Sequence, residues 1–137
     1  MSAVEFLDTN VLIYSFDTVD PRKQRIAQDL VDRALDGDIV ISGQVLAEFA
    51  STLLHKMKPA ISPSGLTKIL DSLGPIRTIA TDAGMVRRAV EANSVYGLHF
   101  YDCLIIAAAE RAGCEKIWSE DLNAGQTYFG VAVQNPF

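Results

Sequence analysis

The 137-residue chain is 49% apolar and 21% charged, with a net charge of −5, an ordinary globular balance with room for a real core in one domain spanning 1–137. The acidic charge argues against a protein that grips nucleic acid through a strongly basic surface, because phosphate neutralisation supplies most non-specific affinity. No apolar stretch approaches the roughly 20 residues of a membrane helix, and the N-terminus lacks the basic-then-apolar layout of a signal peptide, so a cytoplasmic protein with no membrane partner is expected.

Val4–Leu7 reads as a strand that ends on Asp8 before a helix begins. Asp20-Pro21 has the look of a cap with proline at the first helical position. The helix that follows carries Ile26, Leu30 and Leu35 on one face and stops at Gly37. Residues 38–42, centred on Ile39-Val40-Ile41, form a second, buried-looking strand. The next helix is expected over 43–57, with Val45, Leu46, Phe49, Leu53 and Leu54 at helical spacing.

Ser62-Pro63 opens another helix, which Gly74-Pro75 ends, and residues 76–80 read as a third strand. Thr81-Asp82 caps a helix through Met85, Val86, Ala89 and Val90. After Gly97 comes the most apolar helix, residues 99–112. Ile117-Trp118 is a fourth strand and Val131-Ala132-Val133 a fifth. This alternation implies parallel strands joined by helical crossovers: an α/β chain, a three-layer α/β/α sandwich with a mainly parallel sheet of about five strands. Cys103 and Cys114 are too few for a zinc motif and read as small buried hydrophobes. His55 reads as a surface helix residue and His99 as the start of a helix.

Four acids stand in loaded positions. Functional groups of open parallel sheets gather beyond the carboxyl ends of the strands, and Asp8 falls just after the first strand. A plain helix cap accounts for it equally well. Asp121 follows the fourth strand, but so does Glu120, and the residues alone do not choose between them. Glu48 lies near the edge of an apolar stripe, beside Val45, which aims it at the rim of the core. A partly exposed surface glutamate is the plainer alternative. Asp102 is the only charged residue from Phe100 to Ala109, in a helix apolar almost all round. A buried carboxylate is costly without a partner. The helix dipole offsets only part of that cost, so a cation is the natural complement. Clustered carboxylates repel one another. Hard divalent ions such as Mg2+ or Mn2+ relieve that repulsion and support attack of water on a phosphodiester.

Asp8-Thr9-Asn10, Glu48 in a mid-chain helix, Tyr101-Asp102 opening an alanine-rich helix, and Ser119-Glu120-Asp121-Leu122-Asn123 with Gly125 form an ordered set. In this order and at this total length the chain resembles, end to end, the PIN-domain nucleases, in particular the VapC-type toxins of bacterial and archaeal toxin–antitoxin pairs. The resemblance implies an α/β/α fold, usually in homodimers, and an acidic quartet of Asp8, Glu48, Asp102 and Asp121 binding Mg2+ or Mn2+. It makes Asp8 and Asp102 the most direct metal ligands and Asp121 the next, with Glu48 acting directly or through water. Asn10 and Ser119 would orient the carboxylates or the water. It also implies an RNA substrate cut internally, and a cognate antitoxin whose basic segment enters the acidic groove, a fit that the negative charge favours.

Arg22, Lys23, Arg25, Arg87 and Arg88 are candidates for contacts to an RNA backbone, although solvated helix faces explain such clusters more often. No aromatic stands out for base stacking, since most lie in apolar runs. Other readings fare worse. A phosphoacceptor receiver domain wants adjacent acids after the first strand and a late lysine, and the last lysine here, Lys116, precedes its strand. A haloacid-dehalogenase phosphatase wants an aspartate where this chain has Asn10. No Gly-rich phosphate loop is present. A non-catalytic PIN-like interaction module would not need four acids in these places. A nuclease acting on DNA or on structured nucleic acid fits the same residues.

Overall fold

Among the described residues, twelve short elements follow one another with turns that the local residues dictate. The computed structural model describes residues 4–137. In chain order they are β1 (Val4–Leu7), α1 (Thr9–Tyr14), α2 (Pro21–Leu35), β2 (Ile39–Ser42), α3 (Gly43–His55), α4 (Pro63–Leu73), β3 (Thr78–Ile79), α5 (Ala83–Tyr96), α6 (Phe100–Arg111), β4 (Cys114–Trp118), β5 (Thr127–Tyr128) and β6 (Val131–Gln134). Helix starts follow the expected cap chemistry. Asp20 accepts from the Arg22 and Lys23 amides with Pro21 at the first position. Ser42, Ser62 and Asp82 each accept an amide hydrogen from the first turn of α3, α4 and α5. Gly97 ends α5 with φ 70°, a left-handed conformation that glycine adopts without a Cβ penalty.

The sheet has six strands in the order β3-β2-β1-β4-β6-β5, all parallel except β5, which runs antiparallel to β6. The expected three-layer α/β architecture with a mainly parallel sheet is therefore present. β2 is buried along its whole length, as expected of a strand covered on both faces. The right-handed rule for parallel crossovers puts α1 to α4 on one face of the sheet and α5 and α6 on the other, and the helices pack together within those two groups. On the second face α6 packs across β2, β4 and β6. Phe6, Leu7, Ile39, Val40 and Ile41 of the sheet join Phe49, Leu53, Met85 and Ile106 of the helices in one buried cluster. No helix among the described residues is long and apolar enough to cross a membrane.

Three elements differ from the sequence-based expectation. β3 is only two residues long, because it is an edge strand that pairs with β2 alone. β4 begins at Cys114, three residues before the expected start, because its backbone is bonded on both sides, to β1 and to β6. The sixth strand, β5, is half of a hairpin. Its turn puts Phe129 at φ 48° and Gly130 at φ 80°, the two positive angles of a tight hairpin turn. Positive φ is unusual for a bulky residue. Phe129 is held there by an amide hydrogen bond to the Tyr96 hydroxyl (2.9 Å) and by Arg88 stacked 3.5 Å over its ring.

Strand order explains where a site forms. The chain builds outward from β1 to β2 and β3, then returns to lay β4 against the other side of β1. That reversal leaves a crevice beyond the carboxyl ends of β1 and β4, the position where ligands enter open α/β sheets.

Candidate active site

Asp8 leaves β1 and enters the crevice with 7% of its surface exposed. It serves as the N-cap of α1, its Oδ1 accepting from the Thr9 amide at 2.7 Å. The cap carboxylate thus also faces the crevice, so the cap reading and the site reading do not compete. Its Oδ2 accepts from the Ser119 hydroxyl at 2.7 Å and from Asn10 Nδ2 at 3.2 Å. Burial pushes the Asp8 carboxyl up to about 6. The Ser119 and Thr9 hydrogen bonds oppose the shift, and the charges of Asp121 and Glu48 add to it.

Ser119 and Asn10 tie β1 to the segment after β4. The fully buried Ser119 Oγ accepts from the amides of Asp121 (3.2 Å) and Leu122 (3.1 Å), fixing the turn. Asn10 Nδ2 bridges Asp8 and Asp121, 3.2 Å from an Oδ2 of each, while its Oδ1 accepts from the Glu120 amide. This turn points the two adjacent acids in different directions. Asp121 faces Asn10 and the crevice. Glu120 turns the other way, accepting from Lys23 Nζ at 2.9 Å and from the Tyr14 hydroxyl at 3.4 Å.

Across the crevice, Glu48 on α3 and Asp102 in the first turn of α6 line a cleft of about 500 Å³ with Gln44, Ala47, His99 and Tyr101. Glu48 is exposed on the cleft wall, rather than facing the rim of the core. The turn of α3 carries it past the stripe of Val45 and Phe49 into open space. Gln44 Nε2 donates to Glu48 Oε1 (2.6 Å) and to the Tyr101 carbonyl (3.0 Å), linking α3 to α6. The α6 helix is buried from Cys103 to Ala109, but Asp102 itself is half-buried and opens onto the cleft. Its carboxyl is held above the usual range by burial. The charge of His99 opposes that shift and the charge of Asp121 adds to it.

All four acids are therefore electrostatic neighbours, and none takes part in an ion pair among the described residues. They are not a preassembled cage. Among the described residues, no three Asp, Glu, His or Cys side chains are drawn together tightly enough to hold a metal ion unaided. Mutual repulsion keeps unscreened carboxylates apart, and the oxygens of Asp8 are already engaged by Thr9, Ser119 and Asn10. The donor set, hard carboxylate oxygens without a protein cation, still fits Mg2+ or Mn2+. Such ions keep several waters and need only one or two direct carboxylates.

The basic candidates divide. Lys23 is committed to Glu120 and sits over the Tyr14 and Phe137 rings. Arg22 donates to the Phe137 carbonyl, and Arg88 is clamped by Glu91 and Glu110. Arg25 and Arg87 are exposed and belong to no ion pair among the described residues. Four cleft residues lay outside the sequence reading of the site: Gln44, Ala47, His99 and Tyr101. Tyr101 is a 58% exposed aromatic, which the apolar run around it concealed. Its signal was its place two residues before the helix becomes buried. Cys103 and Cys114 are both free and buried, as read.

The model of the PIN domain family matches residues 6–130. No curated protein matches the chain by sequence. Among solved structures, one chain of a toxin–antitoxin complex from Klebsiella pneumoniae superposes with a TM-score of 0.71 at 19% identity, covering 97% of this chain and 98% of that one. A chain of VapBC2 from Rickettsia felis, bound to a DNA fragment from its promoter, gives 0.70 at 17% identity, covering 96% and 98%. VapC20 of Mycobacterium tuberculosis, described as a sarcin-ricin loop cleaving toxin, gives 0.64 at 18% identity, covering 85% and 89%. With its family match running through both halves of the crevice, and the same fold recurring in these structures, the chain belongs to the PIN domain family.

Proposed function

We propose that this chain is a divalent-metal-dependent endoribonuclease and the toxin of a VapBC-type toxin–antitoxin pair. The observation that carries the reading is the crevice itself. Asp8 and Asp121 are bridged there by Asn10, with Asp102 and Glu48 facing them and no protein cation paired with any of the four. Asp8, Asp102 and Asp121 are the residues to hold Mg2+ or Mn2+, with Glu48 acting directly or through water. A bound ion supplies a lowered water pKa and charge neutralisation at the leaving oxygen of a phosphodiester.

The chain's own residues do the positioning. Ser119 and Asn10 lock the Asp8 carboxylate to the turn that carries Asp121, so both acids keep one spacing without a ligand. Gln44 steers Glu48 and anchors it to the start of α6 beside Asp102. The surplus negative charge also suits a basic antitoxin segment as the natural inhibitor, and the structural relatives found in toxin–antitoxin complexes support that partner. RNA as the substrate is supported by the sarcin-ricin loop cleavage ascribed to VapC20. A homodimer and a cytoplasmic location complete the proposal.

The test incubates purified protein with structured RNA, single-stranded RNA and DNA, in Mg2+, Mn2+ or chelator, beside Asp8→Asn and Asp102→Asn. RNA is cleaved only with metal, and each variant loses about a hundredfold or more. Even outer partners of metal ligands typically cost roughly 10–100-fold. Cleavage unchanged by chelator sinks the metal mechanism. Equal cleavage by both variants sinks the residue assignment, and a preference for DNA sinks the substrate.

A further inference from the structure

We propose that the cleft lined by Gln44, Ala47, Glu48, His99, Tyr101 and Asp102 is a subsite for one unpaired nucleobase, with the Tyr101 ring as its stacking platform. The inference rests on the nuclease reading above and adds to it how the nucleotide beside the cut is held.

Tyr101 is the exposed aromatic among the large exposed side chains of the described residues, at 58%. Its backbone is fixed at both ends: its amide donates to His99 Nδ1 at 3.3 Å, and its carbonyl accepts from Gln44 at 3.0 Å. Its ring is braced by its neighbours. The His99 ring lies beside it at 5.9 Å between centroids and 29° between planes, and the half-buried Phe100 ring meets it edge-on at 5.3 Å. A tyrosine on such a support loses little side-chain entropy when a flat partner adds to the stack.

Charge selects the kind of partner. The cleft carries Glu48 and Asp102, and none of its lining residues is Lys or Arg. A phosphate is repelled from such a wall unless cations intervene, whereas a neutral base presents a π-face to which the carboxylates are indifferent. Stacking of splayed-out bases on aromatic side chains is the usual means of reading unpaired RNA. At about 500 Å³ the cleft also lies in the size range of sites that enclose a small molecule. Because Tyr101 lines the same cleft as Glu48 and Asp102, a base on that ring belongs to a nucleotide whose phosphate lies at the acids once a cation screens them. The rival occupant is an arginine of a basic peptide, drawn by the same acids to the same ring face.

The experiment measures fluorescence anisotropy of labelled single-stranded RNA in Mg2+, with Asp8→Asn protein to prevent turnover. Binding is compared with and without Tyr101→Ala, Tyr101→Phe and an abasic site walked along the RNA. Base–aromatic stacking predicts an affinity loss of about tenfold or more for Tyr101→Ala. Tyr101→Phe stays within about twofold of Tyr101. The tenfold loss disappears when the base at one position is missing, a coupling that a misfolded variant does not produce. The proposal is overturned by a Tyr101→Ala loss equal on intact and all abasic RNAs, by no loss, or by no RNA binding at all. It is equally overturned if Tyr101→Ala weakens only the binding of an oligo-arginine peptide. Cleavage by the unsubstituted protein is scored apart. Its absence sinks the nuclease reading, while the binding cycle still judges the subsite.

Discussion

Asp8 is almost fully buried and accepts three hydrogen bonds, yet its carboxyl is pushed up to about 6, because burial outweighs the donors and two neighbouring acids add to the shift. A folded-state value above the unfolded 3.8 means that the metal-free folded chain holds a proton which the unfolded chain releases. The associated stability is fully present below about 3.8 and is lost as pH rises through about 6. At neutral pH the ionised Asp8 therefore costs the metal-free protein on the order of 3 kcal/mol. In chelator at pH 7.5, Asp8→Asn is expected to unfold at higher urea than the unsubstituted protein, with a gain of up to about 3 kcal/mol that is mostly gone by pH 4. Magnesium should then raise the melting temperature of the unsubstituted protein and leave that of Asp8→Asn unchanged. A variant less stable at both pH values would show that the hydrogen bonds of Asp8, and not its charge, dominate. That Asp8 stands at the carboxyl edge of the sheet was visible in the sequence from its place after a strand. That Asp121 and not Glu120 faces it was not, because the orientation depends on partners about a hundred residues away, Asn10 on Asp121 and Lys23 on Glu120.

Among the elements, α5 and α6 are joined by two ion pairs, Arg88–Glu110 and Asp82–Arg111, and the second has two duties. Asp82 caps α5 through the Met85 amide and binds Arg111 of α6 at 2.7 Å, which lowers its carboxyl to about 2. A depressed value contributes stability that is present above the unfolded 3.8 and is lost as pH falls through about 2. Asp82→Asn keeps a cap acceptor but removes the charge, so its acid unfolding should begin at the same pH and depend less steeply on pH between about 4 and 2. An unchanged slope by circular dichroism would assign the acid sensitivity elsewhere. How readable each element was from the residues follows its energetics. The α6 helix was plain because its burial writes an apolar residue at nearly every position from Cys103 to Ala109. The caps were plain because Asp20, Ser62 and Asp82 act on amides two or three residues away. The β5 strand was hidden because two residues leave no period, and its hairpin depends on Phe129 being held at positive φ by Tyr96 and Arg88 of another element. The Gln44 link between α3 and α6 was hidden for the same reason, being a contact across 57 residues.

On the scale of the whole molecule, the charge budget is what most constrains how RNA is gripped. Twelve Lys and Arg face seventeen Asp and Glu, and Lys23, Arg33, Arg88 and Arg111 are committed to ion pairs with acids of the chain. Each such residue is a poor phosphate ligand, because binding RNA would first break a contact already made. Lys23 is the clearest case, half-buried between the Tyr14 and Phe137 rings with its Nζ on Glu120. None of the remaining eight lines the acidic cleft, so an RNA seated there meets few cations and releases few counterions. The logarithm of affinity falls with that of monovalent salt by about 0.7 per phosphate neutralised on a single strand. At fixed magnesium, the slope for this chain is expected to be no steeper than about −2, the contribution of two or three phosphates. Lys23→Ala should leave that slope and the affinity unchanged within about twofold while lowering the melting temperature, since its role is to hold Glu120 away from Asp121. A slope that becomes shallower by about 0.7 in Lys23→Ala would instead make Lys23 a phosphate contact. Glu120 would then be its resting partner, exchanged for RNA on binding.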